Sequence, residues 1–416
     1  MSARRLAGLA RPPSRKVDQA VLVLAVTRAL SWSLLVGALL VGVEPVGAQR
    51  VFPTKIEHVI VIVKENHTFD NYFGQFPGAD GATTVRINGR VQSPPRAADS
   101  TPDIDHSFLG AHLAYNHGQM DRFDQISGAR VGTAPLTFAQ YREADIPGYW
   151  AYARQFVLFD RYFTSVMGPS TPNHLFVVAA SAGGATSNAR GTGNRPACAV
   201  PNASIAVLTA AGTTDRVSAC LDLATLPNVL AGAGLSWKGY GFWVMGGLHR
   251  IYDDPAMRRS LVPEGDFLRD LQGGAFPAVA WLFGGRDEHP PRSICDGHNW
   301  TIEQVNAVMR SPYWKSSLII LTWDDWGGWY DHVPPPQADA LGLGFRVPML
   351  VMSPYAKKGY ISHQQADHAS VPKTIETLFH LPALGPRDQA AHDLLDAVDF
   401  TQPPRPPFLQ QPRSCP

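Results

Sequence analysis

The sequence predicts an α/β protein: a mostly parallel sheet with helices on both faces and long loops that carry its site. Three observations support this. His58-Val-Ile-Val-Ile-Val63 and Ser317-Leu-Ile-Ile-Leu-Thr322 are apolar runs too continuous for half-exposed strands. Apolar residues recur at helical spacing before and after such runs, as at Ile302, Val305, Val308 and Met309. No internal repeat occurs between residues 50 and 400, so this stretch reads as one domain.

In chain order, the first strand ends abruptly at Lys64-Glu65-Asn66. Thr301-Ile-Glu-Gln304 resembles a capping box that opens a helix ahead of the second strand. That strand ends at Trp323-Asp324-Asp325. A third strand, 347–352, leads through a loop bearing His363 and His368 to Ser370, which can cap a helix carrying Val371, Ile375, Leu378 and Phe379. Pro372 falls in that helix's first turn.

With 45% hydrophobic and only 17% charged residues in 416, the chain can bury a sizeable core, which excludes global disorder. A net charge of +1 supplies no long-range field for nucleic acid or an anionic membrane. Residues 1–48 run from a basic stretch into an apolar one interrupted by Arg28, the pattern of an export signal or an N-terminal anchor, and they are set apart from the fold. The protein is therefore expected to be secreted or held in the cell envelope. Cys198, Cys220, Cys295 and Cys415 form no C-x-x-C pair, and a Cys198–Cys220 bridge would staple one Gly/Ala/Thr-rich loop. Residues 401–416, rich in proline, are expected to be extended or disordered.

In parallel α/β sheets, ligands sit beyond the carboxyl ends of the strands. Here those ends offer Glu65-Asn66 and Asp324-Asp325. Three carboxylates buried together are costly unless a cation compensates them, and an oxygen-rich set suits one divalent ion, hard or borderline. The residues do not select which ion. Between the two pairs, Ser165-Val-Met-Gly-Pro-Ser-Thr-Pro-Asn173 places Ser170 and Thr171 beside fixed prolines. Ser170 reads either as a metal-activated nucleophile or as a helix-capping residue in a Pro-rich turn. His106, His289 and His332 stand in polar, turn-rich surroundings and read either as surface residues or as groups that hold phosphate oxygens and donate protons. No G-x-x-x-x-G-K-[ST] loop, G-x-S-x-G elbow or H-E-x-x-H motif is present.

As a set, Ile56-Glu-His-Val-Ile-Val-Ile-Val-Lys-Glu-Asn-His-Thr-Phe-Asp-Asn-Tyr-Phe-Gly74, Met167-Gly-Pro-Ser-Thr-Pro-Asn173 and Thr322-Trp-Asp-Asp-Trp-Gly-Gly-Trp-Tyr-Asp-His-Val-Pro-Pro335 resemble the phosphoesterase family of bacterial phospholipases C, plant non-specific phospholipases C and a secreted acid phosphatase. The resemblance runs from about residue 55 to about 382. It implies an alkaline-phosphatase-like fold and phosphoryl transfer through a covalent enzyme intermediate. Glu65, Asn66, Asp324 and Asp325 match the family's metal ligands, and Ser170 matches its nucleophilic Thr or Ser. His106, His289 and His332 match its three histidine segments.

Two departures stand out: Asp325-Trp326 where many relatives have Glu followed by another residue, and His174 where many have Arg. The C-terminal β-rich extension of the larger bacterial enzymes is missing, so lipid docking by such a module is not expected. The implied substrate is a phospholipid or a small phosphate ester, with transient contact at a membrane surface in the lipid case and no nucleic acid. Three activities compete: a phospholipase C, a non-specific acid phosphatase on soluble monoesters, and a non-catalytic exported binding protein. The aromatic residues Trp323, Trp326, Trp329 and Tyr330 could cage a choline ammonium or pack a core.

Overall fold

The structure is a computed structural model that describes residues 55–193 and 195–416. The export or anchor segment read at residues 1–48 lies outside the described residues. Among the described residues no helix is long and apolar enough to cross a membrane.

Eight strands form the central sheet. In chain order they are β1 (His58–Lys64), β2 (Val157–Phe159), β3 (Trp237–Tyr240), β4 (Leu261–Val262), β5 (Val279–Leu282), β6 (Ser317–Trp323), β7 (Met349–Met352) and β8 (Tyr360–Ser362). Their spatial order is β4-β3-β5-β1-β6-β7-β2-β8. Side chains alternate between faces along a strand, and Val59 through Val63 of β1 are all fully buried, so both faces of the sheet centre are covered. The sheet is mostly parallel, as the sequence predicts, with one exception. β7 runs antiparallel to both β6 and β2. A parallel partner needs a crossover, usually helical, whereas the loop between β6 and β7 carries no helix and returns the chain in the opposite direction.

Four helices matter for the site: α1 (Phe69–Phe73), α2 (Ser170–Ala179), α3 (Ile294–Arg310) and α4 (Ser370–Phe379). Two of their starts differ from the sequence reading. Helix α3 begins ahead of Thr301, capped by Ser293, whose side chain accepts from the Asp296 amide. Thr301 instead donates back to the Gly297 carbonyl at 3.0 Å. Gly297, a poor helix former, obscures the true start in the sequence, and it is there because a Cβ would meet the Glu288 side chain at 2.3 Å. Ser370 is the first helical residue of α4 and not its cap.

Both cysteine pairs are bridged, Cys198–Cys220 across 22 residues and Cys295–Cys415 across 120. Residues 401–416 have no regular secondary structure, yet they are tied down. Besides the second disulfide, Asn299 Nδ2 donates to the Arg413 carbonyl at 2.7 Å, and Asn306 Nδ2 donates to that of Gln410 at 2.8 Å.

Glu376 of α4 is buried, and burial first, then the neighbouring Asp388 carboxyl, push its pKa up from 4.5 to about 8. Between these values the folded protein holds a proton that the unfolded chain has released, so this group's contribution to stability falls as pH rises through that window. Glu376→Gln, which cannot ionise, is expected to raise the urea midpoint relative to wild type at pH 8 and to lose most of that advantage at pH 5. An equal gap at both values would contradict the burial argument.

Candidate active site

The register of β1 against β6 builds the site. Lys64 pairs with Trp323, so Glu65-Asn66 and Asp324-Asp325 leave the sheet side by side. The Asp324 amide donates to the Lys64 carbonyl at 2.9 Å, and the Asn66 amide donates to Asp324 Oδ1 at 3.0 Å. Asn66 adopts a left-handed φ of 65°, which Asn tolerates better than most side chains. Gly327, at φ 58°, closes over it; a Cβ there would lie 2.1 Å from the Asn66 carbonyl oxygen, so only glycine permits this approach.

Ser170 enters from the first turn of α2, and its Oγ donates to Asp325 Oδ2 at 3.1 Å. It is therefore not the helix cap; Pro169 holds that position. The positive end of the helix dipole lies at the serine, where it favours an anion. One turn on, His174 Nε2 lies 3.3 Å from Glu65 Oε1 and 3.4 Å from Asp324 Oδ2. The sequence reading registered His174 only as a departure; its position four residues after Ser170 on a helix was the available signal.

His289 and His106 flank the cluster with matching tautomers. Each donates from Nδ1 to a backbone carbonyl at 2.7 Å, that of Pro290 and that of Ile104 respectively, leaving Nε2 toward the site. His289 Nε2 is 3.9 Å from Glu65 Oε2, and His106 Nε2 accepts from Asn66 Nδ2 at 3.3 Å. Behind them Glu288 anchors the loop. It accepts from Tyr72 Oη at 2.8 Å and Trp323 Nε1 at 2.9 Å, with the fully buried Lys64 ammonium 3.5 Å away.

His332 is not brought to this cluster. Its Nδ1 lies 2.7 Å from Asp70 Oδ2 and its Nε2 3.2 Å from Asp80 Oδ1. The Tyr330-Asp331-His332 segment folds back on α1, where Thr68 Oγ1 donates to the Tyr330 carbonyl at 2.8 Å. Arg346, fully buried, joins Asp331 (Nε to Oδ1, 2.9 Å) to Asp70 (Nη2 to Oδ1, 3.2 Å). Burial works against the His332 imidazolium, but Asp70 more than offsets this and raises its pKa to about 9.

The charges of the main cluster are not balanced. Burial, then Asp324, push the carboxyls of Glu65 and Asp325 above the ordinary range. Burial acts the same way on Asp324, but His174 outweighs it and holds that carboxylate low. Asp324 Oδ2 and Asn66 Oδ1 are buried without a hydrogen-bond partner. Such a set, with unpartnered oxygens and excess negative charge, fits a divalent cation. Glu65, Ser170 and His289 line a cavity of about 450 Å³ whose further wall includes Leu175, Ile205, Leu221, Trp243 and Val244. Trp323, Trp326 and Trp329 are buried in aromatic packing, not arranged as a cage.

Residues 56–382 match the profile of the Phosphoesterase family. Phospholipase C B of Mycobacterium tuberculosis is 27% identical over an alignment covering 86% of this chain and 81% of that protein. Non-specific phospholipase C6 of Arabidopsis thaliana is 26% identical, covering 84% and 73% respectively. Among solved structures, a protein in the alkaline phosphatase superfamily from Vibrio parahaemolyticus aligns with a TM-score of 0.36 and 11% identity, over 84% of this chain and 71% of that one.

Arg346→Met removes the buried cation and leaves Asp70 and Asp331 facing each other. The expected loss is about 3–5 kcal/mol of unfolding free energy by urea titration, partly recovered when Asp70→Asn and Asp331→Asn are added. A loss below about 1 kcal/mol, the scale of an exposed pair, would show that the cluster is hydrated.

Proposed function

We propose, from the premise that this chain belongs to the Phosphoesterase family, that it acts as an exported, metal-dependent phospholipase C, releasing diacylglycerol and a phosphoalcohol through a covalent phosphoserine at Ser170. Family membership makes it a hydrolase of phosphoric ester bonds. The observation that carries the finer reading is Ser170 Oγ, held by Asp325 at the start of a helix and open to a cavity with a largely apolar wall.

A divalent cation held by Glu65, Asn66, Ser170, Asp324 and Asp325 would neutralise the carboxylates and lower the pKa of the serine hydroxyl. Asp325 orients Ser170 Oγ, which attacks phosphorus as the bond to the alcohol oxygen breaks. His289, fixed by the Pro290 carbonyl and protonated on both ring nitrogens, would donate a proton from Nε2 to the departing oxygen, and His106, as an imidazolium that releases Asn66 Nδ2, would hold a non-bridging oxygen. Water then cleaves the phosphoserine, with the His289 imidazole accepting its proton. Leu175, Ile205, Leu221, Trp243 and Val244 suit the apolar part of a diacylglycerol leaving group. Two disulfides support export to an oxidising compartment. Arg195, in the same cavity, favours a second reading, a phosphatase acting on soluble monoesters that carry another anionic group.

The test compares phosphatidylcholine in mixed micelles with p-nitrophenyl phosphate, with and without chelator, for wild type and Ser170→Ala. Expected are faster turnover of the lipid, loss of turnover with chelator and recovery on adding divalent ion. Ser170→Ala should cost about 10³-fold or more in kcat. Turnover of monoesters alone would establish the second reading, and wild-type turnover by Ser170→Ala would remove the nucleophile assignment.

A further inference from the structure

We infer that His174 is a nitrogen ligand of the cation, so that the site prefers a borderline ion such as Zn²⁺ to Mg²⁺ or Ca²⁺. This rests on the reading of Glu65 and Asp324 as metal ligands given above, and deepens it.

Three observations support the assignment. The ring is fully buried, and its edge contacts with Phe242, Trp243 and Phe283, at centroid distances of 5.4, 5.3 and 5.4 Å, fix where Nε2 points. One ligand atom each from Glu65, His174 and Asp324 lie within 4.8 Å of one another. The separations from Nε2, 3.3 Å to Glu65 Oε1 and 3.4 Å to Asp324 Oδ2, are short enough for the three atoms to share one cation.

A further, independent observation is Asp324 Oδ2, buried and without a hydrogen-bond partner although it faces this nitrogen. A helical spacing of four residues also puts His174 on the same face of α2 as Ser170, so a cation bound by the imidazole lies on the nucleophile's side of the helix. Imidazole suits Zn²⁺ and other transition ions, whereas Mg²⁺ and Ca²⁺ take oxygen. The chemistry of the site then differs from an all-oxygen cluster by one neutral nitrogen donor.

The experiment uses the full chain stripped of metal. Zn²⁺ and Ca²⁺ affinities are measured by competition with a chromophoric chelator, and directly bound imidazole is read by pulsed EPR on the Cu²⁺-loaded protein. Wild type is expected to show nitrogen coupling and to favour Zn²⁺. His174→Gln, which keeps a polar group of similar reach, should lose that coupling and bind Zn²⁺ about 10²-fold more weakly or worse, with Ca²⁺ affinity little changed. His289→Gln, run in parallel, should keep both. Nitrogen coupling that persists in His174→Gln, or an unchanged Zn²⁺ affinity, overturns the inference. Asp324→Asn separates the two levels: if it abolishes metal binding while His174→Gln does not, only the imidazole assignment falls. If Asp324→Asn also binds normally, the metal site itself is wrong. Thermal melts of each variant confirm that folded protein is compared.

Discussion

Repulsion among Glu65, Asp324 and Asp325 is the constraint around which the carboxyl end of the sheet is arranged. Burying three carboxylates costs several kcal/mol per ion unless something positive or hydrogen-bonding faces them. The seven-residue register between β1 and β6 imposes the meeting. A slip of one residue would turn every buried side chain of β1 to the opposite face, so the register cannot relax to separate the acids. The surroundings answer locally: His174 faces two of the acids, Ser170 donates to the third, and the Asn66 amide donates to Asp324. What they leave is excess negative charge and unpartnered oxygens, the condition under which a cation binds strongly.

The Asp70–Asp331 cluster shows the same problem solved without a metal. Arg346 bridges the two carboxylates and donates further to the backbone carbonyls of Asp80 and Asp160, at 2.7 and 2.8 Å. Its charge is therefore balanced by the protein itself, and its members tie the loop after β6 to α1. Charge balance thus separates two clusters that look alike in composition, each mixing aspartates with a histidine. One is complete, and the other asks for a ligand. His332 belongs to the complete one, with its ring nitrogens already engaged by Asp70 and Asp80.

What the sequence disclosed follows the range of the interactions involved. The buried strands and the acids that follow them are legible because continuous apolar runs and their ends are local patterns. Ser170 was legible as a constrained hydroxyl, though not as the first residue of its helix. The true start of α3 was hidden by Gly297, which local propensity disfavours and packing against Glu288 requires. The reversal of β7 depends on a connection with no periodicity to read. The partners of His332 lie far away in sequence, 252 residues for Asp80 and 262 for Asp70, so no local motif could reveal them. The Cys295–Cys415 bridge was unreadable for the same reason.

On the proposed reading, catalysis and selectivity fall to different parts of the chain. The acids, the serine and His289 come from strand ends, a helix start and a loop braced by the buried Glu288, all built into the sheet or its support. Much of the cavity wall comes instead from the segment between α2 and β5, which holds the antiparallel hairpin Ser204–Leu208 and Thr214–Ser218 and the Cys198–Cys220 bridge. A disulfide across 22 residues reduces the freedom of the open chain and helps keep the hairpin in shape, since its two strands pair with none of the central sheet. If that reading holds, substitutions along the wall change which alcohol is accepted while the register that assembles the acids stays intact.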